Sequence, residues 1–243
     1  MLLNCDLGEE AGTAGFNPEA AAMPYIDQAN IACGVHAGSE RVMRETAALA
    51  ARHGVAVGAH PSYPDRENFG RTSMNLAPAE LQKILHTQIQ TLEDIATAAG
   101  TRLSYVKPHG ALYNDMMADQ VVRSNILQAV ASYRTPLALM LLCTADADRH
   151  RTEARALGVN LILEAFADRA YTDSGTLVPR DIQGAVHDAA QTLAQVQQLC
   201  ADGSITTLRG TTLQLEADTL CVHGDNPEGV AMIRRIRNLL DAH

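Results

Sequence analysis

Five short apolar runs in this 243-residue chain each end in side chains able to do acid, base or electrostatic chemistry. Asn4, Asp6 and Glu9 lie in LLNCDLGE; Asn30, Cys33 and His36 in QANIACGVHAG; His60 and Asp65 in VAVGAHPSYPD; Lys107 and His109 in LSYVKPHGALYN; and His223 and Asp225 in LCVHGDNP. Asp6 and Glu9 offer two carboxylates able to hold a metal or act as base, although Asp is also a common loop cap. His36, His60, His109 and His223 all occur in Gly- or Pro-bearing segments: GVHAG, GAHP, KPHG and VHGD. A lone histidine is commonly a satisfied structural group, but four of nine at one recurring position argue for a site. The others, such as His53, His86 and His150, are expected on helices or termini, facing solvent.

Lys107 follows the apolar LSYV, so its charge either enters a site or reaches out to water. Inside a crowded site it would be a fixed cation for a carboxylate or phosphate, with its pKa depressed by burial. Glu164, Asp168, Arg169 and Tyr171 form a sixth cluster in LILEAFADRAY. Glu164 falls within a strand and could face inward, whereas Asp168 and Arg169 could simply pair on a loop. Arg71, in NFGRT, could clamp a substrate carboxylate or sit exposed. Cys33 could be a nucleophile beside His36, but a small strand-end filler is the preferred reading.

Positioning these groups requires strands. A run of four to eight apolar residues bounded by Gly and Pro reads as a buried strand. LLNCDL, the run ending at Cys33, GVAVGAH, RLSYVKP, PLALMLL, VNLILEAF and LCVHG supply about seven. Helices alternate with them. Ser39 can cap one through Arg52 closed by Gly54; Pro78 opens another whose stripe of Leu81, Ile84, Leu85, Leu92 and Ile95 ends at Gly100. Asp119 can cap a helix containing Val122, Ile126 and Val130, and Asn226 with Pro227 opens a last one. This alternation selects a parallel sheet with right-handed crossovers, and polar groups after nearly every strand favour closure as a β/α barrel with its site at the strands' C-terminal rim. From Gly203 to Thr219 the pattern breaks, and a β-hairpin is expected there.

Length without a linker or composition break points to one domain over residues 1–243. Only 4% of residues are aromatic against 47% apolar, so Ala, Leu, Ile and Val must build the core. A net charge of -9 argues against nucleic acid and anionic membrane as partners. Five scattered cysteines without CxxC spacing fit a reducing compartment, with Cys143 and Cys200 expected in the core. No leader segment is evident before Asn4, so a cytoplasmic location is expected. P-loop, Rossmann phosphate-turn and hydrolase-elbow motifs are absent from the sequence.

Taken together, NCDLGE, NIACGVHAG, GAHPSYPD followed by FGR, VKPHGALYN, EAFADRAY and VHGDNP closely resemble the LamB/YcsF family, the A subunit of bacterial ATP-dependent 5-oxoprolinase. The motifs run in order from Asn4 to Pro227. The resemblance implies a seven-stranded β/α barrel similar to glycoside hydrolases and polysaccharide deacetylases. It implies opening of 5-oxoproline to L-glutamate with hydrolysis of ATP, carried with Mg2+, to ADP and phosphate, and two partners, the B and C subunits of 5-oxoprolinase.

For that chemistry, phosphorylating the unreactive amide oxygen would create an imidate that water can attack, followed by loss of phosphate and collapse to glutamate. Lys107 is then expected to hold the phosphate or oxyanion, Asp6 or Glu164 to activate water, and His60 or His109 to move the proton to nitrogen, with His223 also catalytic. Asn4, Asn30, Arg71 and Asp225 are assigned to substrate. A divalent metal at the barrel mouth would take Asp6, His36 and His60, as related deacetylase barrels suggest. Two other readings are a metal-dependent amidase or deacetylase without ATP, and a component that only binds substrate.

Overall fold

A computed structural model describes residues 1–9, 17–223 and 227–242 of the chain. Among these, seven parallel strands close into a barrel: β1 (Leu2–Leu7), β2 (Gln28–Ala32), β3 (Ala56–His60), β4 (Leu103–Val106), β5 (Ala138–Leu142), β6 (Leu161–Phe166) and, after the hairpin β7 (Ser204–Thr206) and β8 (Thr212–Gln214), β9 (Thr219–Val222). Closure comes from β9, which pairs with β6 on one side and with β1 on the other. The hairpin expected between Gly203 and Thr219 is present, with Ile205 opposite Leu213. No helix among the described residues is long and apolar enough to cross a membrane.

Helices surround the barrel: α1 (Pro18–Ala22), α2 (Glu40–His53), α3 (Pro78–Ala98), α4 (Gly110–Ala118), α5 (Gln120–Ala131), α6 (Ala147–Arg155), α7 (Ala189–Asp202) and α8 (Pro227–Asp241). Their ends are set by local chemistry. Ser39 Oγ accepts from Val42 N at the start of α2, and Gly54 closes it at φ 69°. Asp119 accepts from Val121 N ahead of α5. Asp188 and Gln191 form a reciprocal capping box on α7, a helix the sequence pattern did not single out.

Strand alternation divides the side chains. Leu3, Cys5, Ala29, Ile31, Val57 and Ala59 face outward and pack under the helices, none more than 0% exposed. The opposite parity fills the lumen, and there the chain departs from the branched aliphatic layers usual in such barrels. Register aligns Asp6 with Asn30, Asn30 with Gly58 and Gly58 with Tyr105. A Cβ on Gly58 would lie 2.1 Å from Tyr105 Cε2, so the missing side chain makes room for that ring.

Two expectations are corrected outside the site. His150 is 2% exposed, because α6 turns its ring inward, and neither ring nitrogen has a hydrogen-bond partner among the described residues. Cys200 is only half-buried against the core, whereas Cys143 is buried.

Candidate active site

The lumen's polar groups converge on Lys107, which follows β4. Its Nζ donates to Asp6 Oδ1 at 3.0 Å, Asn4 Oδ1 at 3.3 Å and Cys221 Sγ at 3.2 Å, and lies 2.9 Å from Glu164 Oε2. Lys107 is 2% exposed and Glu164 0%. The expectation of a depressed lysine pKa fails: burial pulls it down, but Asp6, Cys221 and Glu164 together overcome that and hold it well above the usual range. Burial likewise raises Asp6, yet His60 and Lys107 outweigh it and keep its carboxyl well below ordinary values.

Asp6 is held from beneath. Asn30 Nδ2 donates to Asp6 Oδ1 at 2.7 Å and Asn4 Oδ1 at 2.8 Å, and Tyr105 Oη donates to Asn30 Oδ1 at 2.7 Å. Asn4 closes the chain by donating to Thr219 Oγ1 at 3.1 Å. Asn4 and Asn30, expected at the substrate, are therefore placed below Asp6, fully buried and away from the cavity wall. Their amides are already committed to one another.

Above this floor opens a cavity of about 860 Å³. Asp6, Glu9, His60, Lys107, His109 and His223 line it, as do Arg71, Tyr113, Asp168 and Arg180. Glu164 does not reach the lining and touches the site through Lys107. Arg71 is exposed at the rim with its guanidinium 5.0 Å from the centre of the Phe69 ring. Asp225 lies outside the described residues.

On one wall, His36 and His109 stack with ring centres 3.8 Å apart, and His60 meets both edge-on. Burial, with His60 adding to it, pushes His36 and His109 down to about 3. Among the described residues, those able to hold a metal form two groups: Glu9, His36, His60 and His109, and separately Asp6, Cys221 and His223. The expected set of Asp6, His36 and His60 is thus divided, because the turn after β1 carries Glu9 onto the histidine wall. Cys33 is no ready nucleophile: burial pushes its thiol up to about 12.

The opposite wall holds a pair the sequence could not assign. His223 Nδ1 donates to Asp168 Oδ2 at 2.8 Å. Burial would lower His223, but Asp168 reverses this and raises it to about 9. Arg169 does not pair with Asp168; its guanidinium donates to Val178 O at 2.6 Å and Ala185 O at 3.3 Å, pinning the 170–187 segment that carries Arg180 to the rim. Tyr113 was also missed, since nothing in ALYND marks its buried side chain as part of the cavity lining.

If His223 acts as an acid, its protonated form is present below about pH 9 and lost above it. Asp168→Asn removes the main stabiliser of that form, so the alkaline limb of kcat/KM should move to lower pH by one unit or more. A pH profile with an unmoved limb would separate His223 from proton transfer.

Fold and site together define a β/α barrel enzyme type with a buried lysine–carboxylate centre at the strands' C-terminal rim. The chain belongs to the LamB/YcsF family, whose model matches residues 1–243. It is 51% identical over 242 residues to a Pseudomonas putida protein named as a 5-oxoprolinase A subunit, covering 99% of this chain and 94% of that one. To a Pseudomonas fluorescens protein also named as the A subunit of 5-oxoprolinase it is 49% identical over 242 residues, covering 99% and 97%. Among solved structures, the lactam utilization protein of Thermus thermophilus superposes with a TM-score of 0.88 at 36% identity, over 100% of this chain and 96% of that one. A β-1,4-mannanase, at 10% identity and a TM-score of 0.54 over 99% and 98%, shares the fold alone.

Proposed function

We propose that this chain opens 5-oxoproline to L-glutamate in a reaction coupled to hydrolysis of ATP, supplied with Mg2+, and works as the A component of a 5-oxoprolinase beside its B and C subunits. The observation that carries this reading is the buried Lys107 ammonium at the cavity floor, held between Asp6 and Glu164. The names of the full-length relatives supply the substrate class.

An unstrained lactam resists water because its carbonyl is a poor electrophile and its nitrogen a poor leaving group. Phosphorylating the amide oxygen removes the first obstacle. Water then adds to the imidate carbon, and the tetrahedral species must expel nitrogen rather than phosphate, or the lactam simply re-forms. Protonating the nitrogen decides this, leaving an acyl phosphate that a second water converts to glutamate and phosphate.

Lys107 faces the negative charge on the phosphoryl or carbonyl oxygen. Asp6 lines the cavity and is ionised, which favours it over the sequestered Glu164 for orienting water; Glu164 then fixes Lys107. His223, protonated at neutral pH, is better suited to donate to nitrogen than the neutral His109, while His60 serves the water side. Arg71 binds the substrate carboxylate from the rim.

Reconstitution with the B and C subunits, following ADP and glutamate together, tests this. Both products should appear in equal amounts and glutamate should vanish when this chain is omitted. The histidine wall favours one rival, a metal-dependent amidase, which predicts glutamate from this chain alone with a divalent cation and no ATP. That result would overturn the ATP-coupled reading.

A further inference from the structure

The histidine wall contains a hydrogen-bonding conflict. His60 Nδ1 lies 2.7 Å from the Lys107 carbonyl oxygen, and His109 Nε2 lies 3.0 Å from that of Phe69. A carbonyl oxygen only accepts, so both of these nitrogens carry the hydrogen. In neutral rings the other nitrogens, His60 Nε2 and His109 Nδ1, are then lone pairs, and they face each other at 2.9 Å. Carboxylate oxygens crowd the same point: Glu9 Oε1 is 3.5 Å from His109 Nδ1, and Asp6 Oδ2 is 3.4 Å from His60 Nε2. With both rings neutral, electron-pair donors converge here at hydrogen-bonding distance. A shared proton or a bound metal ion relieves that arrangement.

We propose that His60 Nε2, His109 Nδ1 and the Glu9 carboxylate form a binding site for a divalent transition-metal ion of the zinc type. A metal bonded at about 2.0–2.2 Å brings its ligand atoms to roughly this spacing, and those of Glu9, His36, His60 and His109 all lie within 4.8 Å of one another. Imidazole donors select zinc, cobalt or nickel over magnesium and calcium. The two carbonyl bonds are the outer contacts that fix tautomer and ring direction in metal-binding histidines. Phe69 takes φ 57° to present its carbonyl, an uncommon conformation for an aromatic residue.

His36 supports the site without ligating. Its Nε2 donates to Glu9 Oε1 at 3.2 Å, which leaves Nδ1 as a buried, unpartnered lone pair. Ligation through Nε2 would instead place the hydrogen on that buried Nδ1, where it has nowhere to go. A single proton between His60 and His109 would satisfy two of the donors; a metal satisfies the carboxylate as well. Glu9, His60 and His109 all line the cavity, so the ion's open side would face substrate as a Lewis acid.

The inference concerns the site assigned above to ring opening but does not depend on the lactam, because its test reads binding without turnover. Chelator-stripped protein is titrated with Zn2+ by calorimetry and with Co2+ by visible absorption. One equivalent should bind with a dissociation constant below about 10 μM, and Co2+ should acquire the absorption bands of nitrogen ligation. His60→Ala and His109→Ala should each weaken binding by at least about tenfold, whereas His53→Gln, exposed at the end of α2, should not. No binding to the unaltered protein at 100-fold higher metal, about 1 mM, overturns the proposal irrespective of how the variants fold, and leaves the pair sharing a proton. Binding that survives in both histidine variants overturns it as adventitious. A metal-free chain that still completes the ATP-coupled assay leaves the ring-opening reading intact.

Discussion

Lys107→Met is expected to abolish turnover, by about a thousandfold or more, and to destabilise the protein by about 3–5 kcal/mol. Both effects have one cause. Lys107 is the buried counter-charge to Asp6 and Glu164, and an apolar replacement strands two carboxylates in the lumen. The pH dependence should change sign with it. In the unaltered protein Asp6 has a depressed pKa, so its contribution is present above the unfolded value of about 3.9 and lost as pH falls through the folded value. Without the lysine the charged carboxylates oppose folding, and the variant should gain stability as acid protonates them. Adding Glu164→Gln to Lys107→Met should recover much of the lost stability at pH 7 while leaving activity absent. Urea denaturation at pH 5 and pH 7, read beside the assay, separates the two contributions; undiminished turnover in Lys107→Met would remove the residue from the chemistry.

Gly58→Ala should cost about 3 kcal/mol or more and most of the activity, although residue 58 has no side chain. Its Cβ would fall 2.1, 2.2 and 2.6 Å from three atoms of the Tyr105 ring. The ring is 1% exposed inside a closed barrel, and close-packed interiors yield little room to such a ring. Moving it breaks the bond to Asn30, and Asn30 is what holds Asp6. Tyr105→Phe isolates the second part of this chain: it keeps the ring, leaves Asn30 Oδ1 unpaired, and should cost about 1–3 kcal/mol. Thermal unfolding of both variants, with Gly58→Ala/Tyr105→Leu as the relieving pair, checks the order of effects. A Gly58→Ala protein of normal stability would mean the barrel wall yields more readily than a close-packed core should.

The barrel was legible because each strand is a short apolar run with its own stop signal and each crossover has recognisable helix punctuation. Ser39, Gly54, Pro78 and Asp119 all stand at the helix ends expected of them. Candidate residues were visible as types at strand ends, and Asp6, His60, Lys107 and His223 do meet around one cavity. Depth was not legible. Asn4 sits one inward-facing position below Asp6 on the same strand, and that single pleat separates a buried support from a cavity wall. Asn30 pairs with Asp6 in register, but its amide turns to Asn4 and Asp6 instead of the cavity. The sign of the Lys107 shift depended on partners far upstream and far downstream, Asp6 and Glu164, which no local pattern connects. Asp168 and His223, 55 residues apart, became a pair only once β9 lay beside β6.

The seam between β1 and β9 has a consequence for how this molecule comes into being. Asp6 is made well before Cys221 and His223, yet β1 and β9, which carry them to one place, touch only when the cylinder shuts. Until β9 has been made, the chain carries an open sheet whose first strand has a bare edge and whose charged lumen is wet. Chemistry competence arrives in one late event, so fragments lacking the final strand should be inert by themselves, and complementation by a separately made C-terminal piece becomes a way to watch the closure happen.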